Sequence, residues 1–130
     1  KDLKEINFSV NINELNGDRK INNLIKTQLD NYKNNDAIIK YDIIINTKYE
    51  KNIIAKNTTG AATEYKLIIY TSFKINSENI NREFTFRESF NMRSINDKLE
   101  EQDYEENIKS NLVDVITRKF ILKLSQIKWF

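Results

Sequence analysis

Chemistry in this sequence falls to carboxylates, cations and hydroxyls, because it contains neither histidine nor cysteine. That removes a thiolate nucleophile, an imidazole base, a Ser-His-Asp triad and any zinc site built on His or Cys. A carboxylate-only enzyme would need two acidic groups facing one another. The nearest pair, Glu105 and Glu106, are consecutive on a helical stretch, where neighbouring side chains diverge. The chain therefore reads as a non-enzyme that calls for no metal and no cofactor. Its 21 Lys and Arg oppose 19 Asp and Glu for a net charge of +2. So weak an overall field does not gather polyanions, and any basic site must be local.

A local site needs a scaffold, and the scaffold is written most clearly between Tyr41 and Ile75. Tyr41, Ile43, Ile45, Thr47 and Tyr49 alternate with Asp42, Ile44, Asn46, Lys48 and Glu50, the period of a strand. Tyr65, Leu67, Ile69, Thr71, Phe73 and Ile75 alternate in the same way with Lys66, Ile68, Tyr70, Ser72 and Lys74. Between them Asn57-Thr58-Thr59-Gly60-Ala61-Ala62 is small and polar, with one of only two glycines in the chain available for a positive φ. The spacing predicts a long hairpin whose tip projects beyond the core.

The remaining elements cover or extend that hairpin. After a charged lead-in, Lys1 to Glu5, a first strand alternates Phe8, Val10 and Ile12 with Asn7, Ser9, Asn11 and Asn13. Asn16-Gly17-Asp18 punctuates the chain, and Asp18 is placed to cap a helix. Ile21, Leu24, Ile25, Leu29 and Tyr32 then recur at helical spacing, before a loop over Asn31 to Asp36. Asn76-Ser77-Glu78-Asn79 turns the chain into a strand from Arg82 to Asn91. There Phe84, Phe86 and Phe90 share a face that Glu88 interrupts. Ser94 with Asp97 resembles a capping box that opens a last helix with apolar positions at Leu99, Ile108, Leu112, Val115, Ile116, Phe120 and Ile127. Acidic residues lie early in this helix and Arg118, Lys119 and Lys123 late, the sense that complements the macrodipole. These charges read as a solvated face, and Trp129 and Phe130 either fold back on the core or stay exposed.

The expected architecture is α+β, a two-layer sandwich in the order β-α-β-β-β-α. One four-stranded, mostly antiparallel sheet carries both helices on one face, the first strand joining through the first helix as a crossover. At 130 residues this is a single domain, residues 1–130. The second sheet face, rich in Asn, Ser, Thr, Lys and Glu, suits water or a polar partner.

Three stretches taken together resemble a known family. Thr59-Gly60-Ala61-Ala62-Thr63-Glu64-Tyr65-Lys66-Leu67, then Phe86-Arg87-Glu88-Ser89-Phe90-Asn91, then a terminal helix ending Leu122-Lys123-Leu124 are similar to the LPS-assembly lipoproteins (LptE, also called RlpB) of Gram-negative bacteria. The resemblance covers roughly the last two thirds of the chain. It implies a lipoprotein on the periplasmic side of the outer membrane, held by a lipidated N-terminal Cys that would lie upstream of Lys1. It also implies lipopolysaccharide binding, and residence as a plug inside the β-barrel translocon (LptD-like) that delivers lipopolysaccharide to the cell surface.

Such a ligand presents phosphates and sugars beside acyl chains, which calls for Lys and Arg donors. The candidates are Lys51 and Lys56 flanking the hairpin tip, Arg87 in Phe-Arg-x-x-Phe, and Arg93 and Lys98 at the entrance to the last helix, with Lys56 and Lys98 leading. Arg93 and Lys98 join the tip only if that helix starts at the same end of the sheet. Two other readings stay open. The order α-β-β-β-α is also that of a double-stranded-RNA-binding domain, but its last helix should open with a basic cluster. Here Glu100, Glu101 and Asp103 open it, so no nucleic-acid partner is expected. The other reading is a periplasmic lipoprotein that docks subunits of a different envelope export system, since fold does not fix function.

Overall fold

The first change of chain direction is fixed by Asp18, whose Oδ1 accepts from the Ile21 amide at 2.9 Å. This cap satisfies one of the free donors in the first turn of a helix. The computed structural model describes residues 8–32, 36–77 and 80–127. Its elements are β1 (Phe8–Gly17), α1 (Arg19–Leu29), a 3-10 turn (Asp30–Tyr32), β2 (Ile39–Lys56), β3 (Ala62–Ser77), β4 (Ile80–Arg93) and α2 (Lys98–Ser125). The sheet order is β1-β2-β3-β4, with β1 parallel to β2 across α1 and the other neighbours antiparallel. This is the α+β sandwich that the alternation predicted.

One face of the sheet is apolar because the alternation is kept in register. Ile45 of β2 stands opposite Phe73 of β3, which stands opposite Phe84 of β4. Onto this face α1 places Ile21, Ile25 and Leu29, and α2 places Ile108, Leu112, Val113, Ile116, Phe120 and Leu124, all buried. Phe120 lies flat on Phe73, with ring centroids 3.9 Å apart and planes 6° from parallel.

β1 ends where the chain must leave the sheet. Gly17 has φ +102°, and a Cβ there would meet the Thr47 carbonyl oxygen at 1.9 Å, so glycine is required by both conformation and space. The Thr47 hydroxyl donates to Asn22 Oδ1 at 2.7 Å, and the Asp18 amide donates to the Thr47 carbonyl at 3.3 Å. Beyond Thr47 the rest of β2, from Lys48 to Lys56, continues without β1 beside it. The sheet thus has a base, where β1 and α1 attach, and a tip that only β2, β3 and β4 build.

The tip turn closes on Asn57, whose Oδ1 accepts from the amides of Thr59 and Ala61 at 2.9 and 3.0 Å and from the Thr59 hydroxyl at 2.6 Å. Gly60 supplies the positive φ, +88°. The Ser94 amide donates to the Thr63 carbonyl at 3.0 Å, which anchors the approach to α2 beside this turn.

Several details depart from the sequence reading. Asp97, not Ser94, caps α2, its Oδ1 accepting from the Leu99 and Glu100 amides at 2.9 and 3.1 Å. Leu99 is 67% exposed, because the first turns of α2 lie over the tip and continuous apolar burial starts only at Ile108. Glu88 interrupts the phenylalanine face for a reason: it turns to α2 and accepts from Lys119 Nζ at 2.6 Å. Ile68, on the mainly polar face, is only 5% exposed, set between Glu50 and Ser89 in register. The lead-in at Lys1 to Glu5, Asn7, Trp129, Phe130 and parts of the Asn31–Asp36 and Asn76–Asn79 connections lie outside the described residues.

Candidate functional site

Strand register decides which of the five candidate cations share a site. Lys56 ends β2, Arg93 ends β4 opposite Glu64, and Lys98 begins α2. With Ser94 bonded to Thr63, all three stand at the tip end, so the condition set for Arg93 and Lys98 is met. All three are exposed, and none makes an ion pair among the described residues.

Lys51 and Arg87 do not join them. The Lys51 ammonium lies 2.8 Å from Glu105 Oε1 and 4.5 Å from the centre of the Tyr65 ring, so it is already committed to intramolecular partners. Arg87 is set six residues back along β4, roughly 20 Å at strand rise. It stands on the open sheet face with its guanidinium 5.8 Å from the Tyr70 ring centre.

Further from the turn than the three tip cations lies a partly buried polar clamp. Glu105 accepts from the Tyr49 hydroxyl at 2.7 Å and from Lys51 at 2.8 Å. Lys109, whose side chain is 8% exposed, sits 3.7 Å from Glu105 and 3.6 Å from Glu106, with its ammonium 4.2 Å above the Tyr49 ring. Lys20 of α1 reaches Glu106 at 3.4 Å. Burial pushes the Glu105 carboxyl up, but hydrogen bonds from Lys51 and Tyr49 and the charges of Lys51 and Lys109 outweigh it and hold the carboxyl below its ordinary value. Burial, together with the hydrogen bond to Glu105 and its charge, raises the Tyr49 phenol well above its ordinary value. Early α2 is therefore not simply a solvated face. The spacing of Glu105 and Lys109, four apart with an aromatic residue on the facing strand, was the available signal.

The tip end also carries exposed apolar side chains: Ile53, Ile54, Phe90 and Leu99. Cations beside uncovered apolar groups suit an amphiphile with an anionic headgroup, which binds through charge-assisted hydrogen bonds and area burial together. Among the described residues no cluster of acidic side chains is arranged to hold a metal ion, and no helix is long and apolar enough to cross a membrane.

No family model and no curated protein matches this sequence. Solved structures do match. The rare lipoprotein B of Shewanella oneidensis superposes with a TM-score of 0.62 at 13% identity, covering 87% of this chain and 94% of that one. The chain has the rare lipoprotein B fold. Lipoprotein B of Nitrosomonas europaea superposes with a TM-score of 0.55 at 12% identity, over 87% of this chain and 82% of that one. A minor lipoprotein of Acinetobacter baumannii gives 0.50 at 14% identity, over 85% and 91%. The resemblance to the LptE/RlpB lipoproteins seen in three short stretches thus extends to the fold of nearly the whole chain.

Proposed function

We propose that this chain is the folded domain of an LPS-assembly lipoprotein of the LptE/RlpB type. In this reading it binds lipopolysaccharide at the tip of its sheet and assists assembly of the β-barrel translocon as a plug, lipid-anchored on the periplasmic face of the outer membrane. The observation that carries the reading is that Lys56, Arg93 and Lys98 stand at the end of the sheet that also exposes Ile53, Ile54, Phe90 and Leu99, on a rare lipoprotein B fold. The cations answer the phosphates of the ligand and the apolar side chains answer its acyl region. A barrel lumen is polar and wet, and the second sheet face, dominated by amides, hydroxyls and charges, is suited to it.

The test is direct. Lys56→Asp combined with Lys98→Asp should weaken lipopolysaccharide binding at least about tenfold, since each replaced donor costs a charge-assisted contact and adds repulsion. Both residues are exposed, so the circular dichroism spectrum and melting temperature should stay within a few degrees of the parent. Unchanged binding by the folded double variant would refute the tip assignment. The barrel partner is tested by purifying the lipidated full-length protein from outer membranes. An equal amount of a large β-barrel should come with it, whereas an inner-membrane transporter in its place would favour the envelope-export alternative.

A further inference from the structure

The open face of the sheet holds a second constellation that the tip site does not use. Register aligns Lys48 of β2, Tyr70 of β3 and Arg87 of β4 in one row. The two cations approach the Tyr70 ring from the flanking strands, each 5.8 Å from its centre. Two residues along each strand, on the same face, Asn46, Ser72 and Thr85 form the next row, roughly 7 Å away at strand rise. Between these rows lies a depression of about 220 Å³, lined by Asn46, Thr47, Lys48, Tyr70, Ser72 and Thr85 among others.

The lining is an amide, several hydroxyls and an aromatic body, flanked by positive charge. Its neighbours hold it in place: the Tyr70 hydroxyl donates to Glu50 at 3.4 Å, Ser72 donates to Glu83 at 2.7 Å, and Lys48 pairs with Glu50 at 3.0 Å. What is left over is specific in kind. Arg87 has no carboxylate partner, and Asn46 and Thr85 have no side-chain hydrogen-bond partner, among the described residues. Two neutral hydrogen-bonding side chains in a shallow hollow, with one unpaired guanidinium outside its lining, across the Tyr70 ring that bounds it, match a ligand with many hydroxyls and one or more fixed anionic groups.

We propose that this face binds a phosphorylated saccharide chain, with Arg87 taking the phosphate and Asn46, Ser72 and Thr85 taking the sugar hydroxyls. The site is distinct from the tip, and only the choice of probe rests on the lipopolysaccharide reading. The probe is the phosphorylated core oligosaccharide freed of acyl chains, titrated into the isotope-labelled protein and followed by NMR. Amide shifts should change at residues 46–48, 70–72 and 85–87. Arg87→Gln should weaken binding about tenfold by removing one charge-assisted contact, and Thr85→Val should weaken it severalfold. Enzymatic dephosphorylation of the probe should reproduce the Arg87→Gln loss. Shifts confined to the tip, or an oligosaccharide that fails to bind where whole lipopolysaccharide does, would overturn the inference while leaving the tip reading intact. If neither ligand binds, both fail.

Discussion

The base and the tip of this molecule are held together by different physics. At the base, β1 completes the sheet, α1 covers it, and α2 lays Ile116, Phe120 and Leu124 on Ile45, Phe73 and their neighbours in a predominantly apolar seam. At the tip, β1 is gone, the first turns of α2 bury no large apolar side chain of their own, and Glu105 joins helix to sheet through Tyr49, Lys51 and Lys109. Apolar burial is non-directional and scales with area, whereas a clamp of charges is directional and responds to pH and salt. The base is built to be permanent, and the tip, where the candidate ligand site sits, is built on contacts that can be exchanged.

The largest effect that follows from this contrast belongs to the base. Phe120→Ala removes one partner of the flat Phe73 stack and should destabilise the domain by about 3–5 kcal/mol. Chemical denaturation would show this as a lower midpoint with little change in slope. A loss below about 1 kcal/mol would mean that the seam collapses onto the gap and that base and tip are less different than the packing indicates.

Glu105→Gln should cost less and act locally, about 2 kcal/mol, because Lys109 keeps Glu106 nearby and the cluster retains some solvent. Hydrogen exchange should quicken in residues 98–108 while amides around Phe120 stay protected. The pH dependence has a definite sign. The folded carboxyl of Glu105 is held below its ordinary value, so its contribution is complete above about pH 5 and declines as pH falls through the folded value. Stability of the parent should therefore drop on acidification through this window, and the drop should be smaller in Glu105→Gln. Identical pH profiles would remove the clamp from the account of the tip.

The two regions also differ in how far the sequence announces them. Base elements follow from periodicity: Ile21, Ile25 and Leu29 at helical spacing and Tyr41 to Thr47 at period two name the core face before any fold is known. The tip site depends on which strand ends meet. Lys56 lies far in the chain from Arg93 and Lys98, and only the Glu64–Arg93 register and the Ser94–Thr63 bond bring it to the same end as those two. Lys51 belongs with the same loop in sequence, yet it is drawn into the clamp because its strand position points it at Glu105. Glu88 is the complementary case, an acid on an apolar face that makes sense once Lys119 is seen across from it. Helix-to-sheet pairings of this kind leave no periodic trace.

Where base meets tip, the seam carries two buried hydroxyls, and they allow the finest test of the contrast. Thr71 precedes Phe73 by two residues on β3, and Thr117 precedes Phe120 by one helical turn, so both lie on the tip side of the aromatic stack. Both are buried, and neither side-chain oxygen has a hydrogen-bond partner among the described residues. An unsatisfied buried hydroxyl gives up its hydration without replacement, a cost of about 1 kcal/mol or more. Thr117→Val keeps the branching at Cβ and removes that group, so it should stabilise the domain by about 1 kcal/mol and raise the melting temperature by a few degrees. A lowered melting temperature would show that the hydroxyl is bonded in solution, and the boundary of the dry seam would then move from Thr117 toward Phe120.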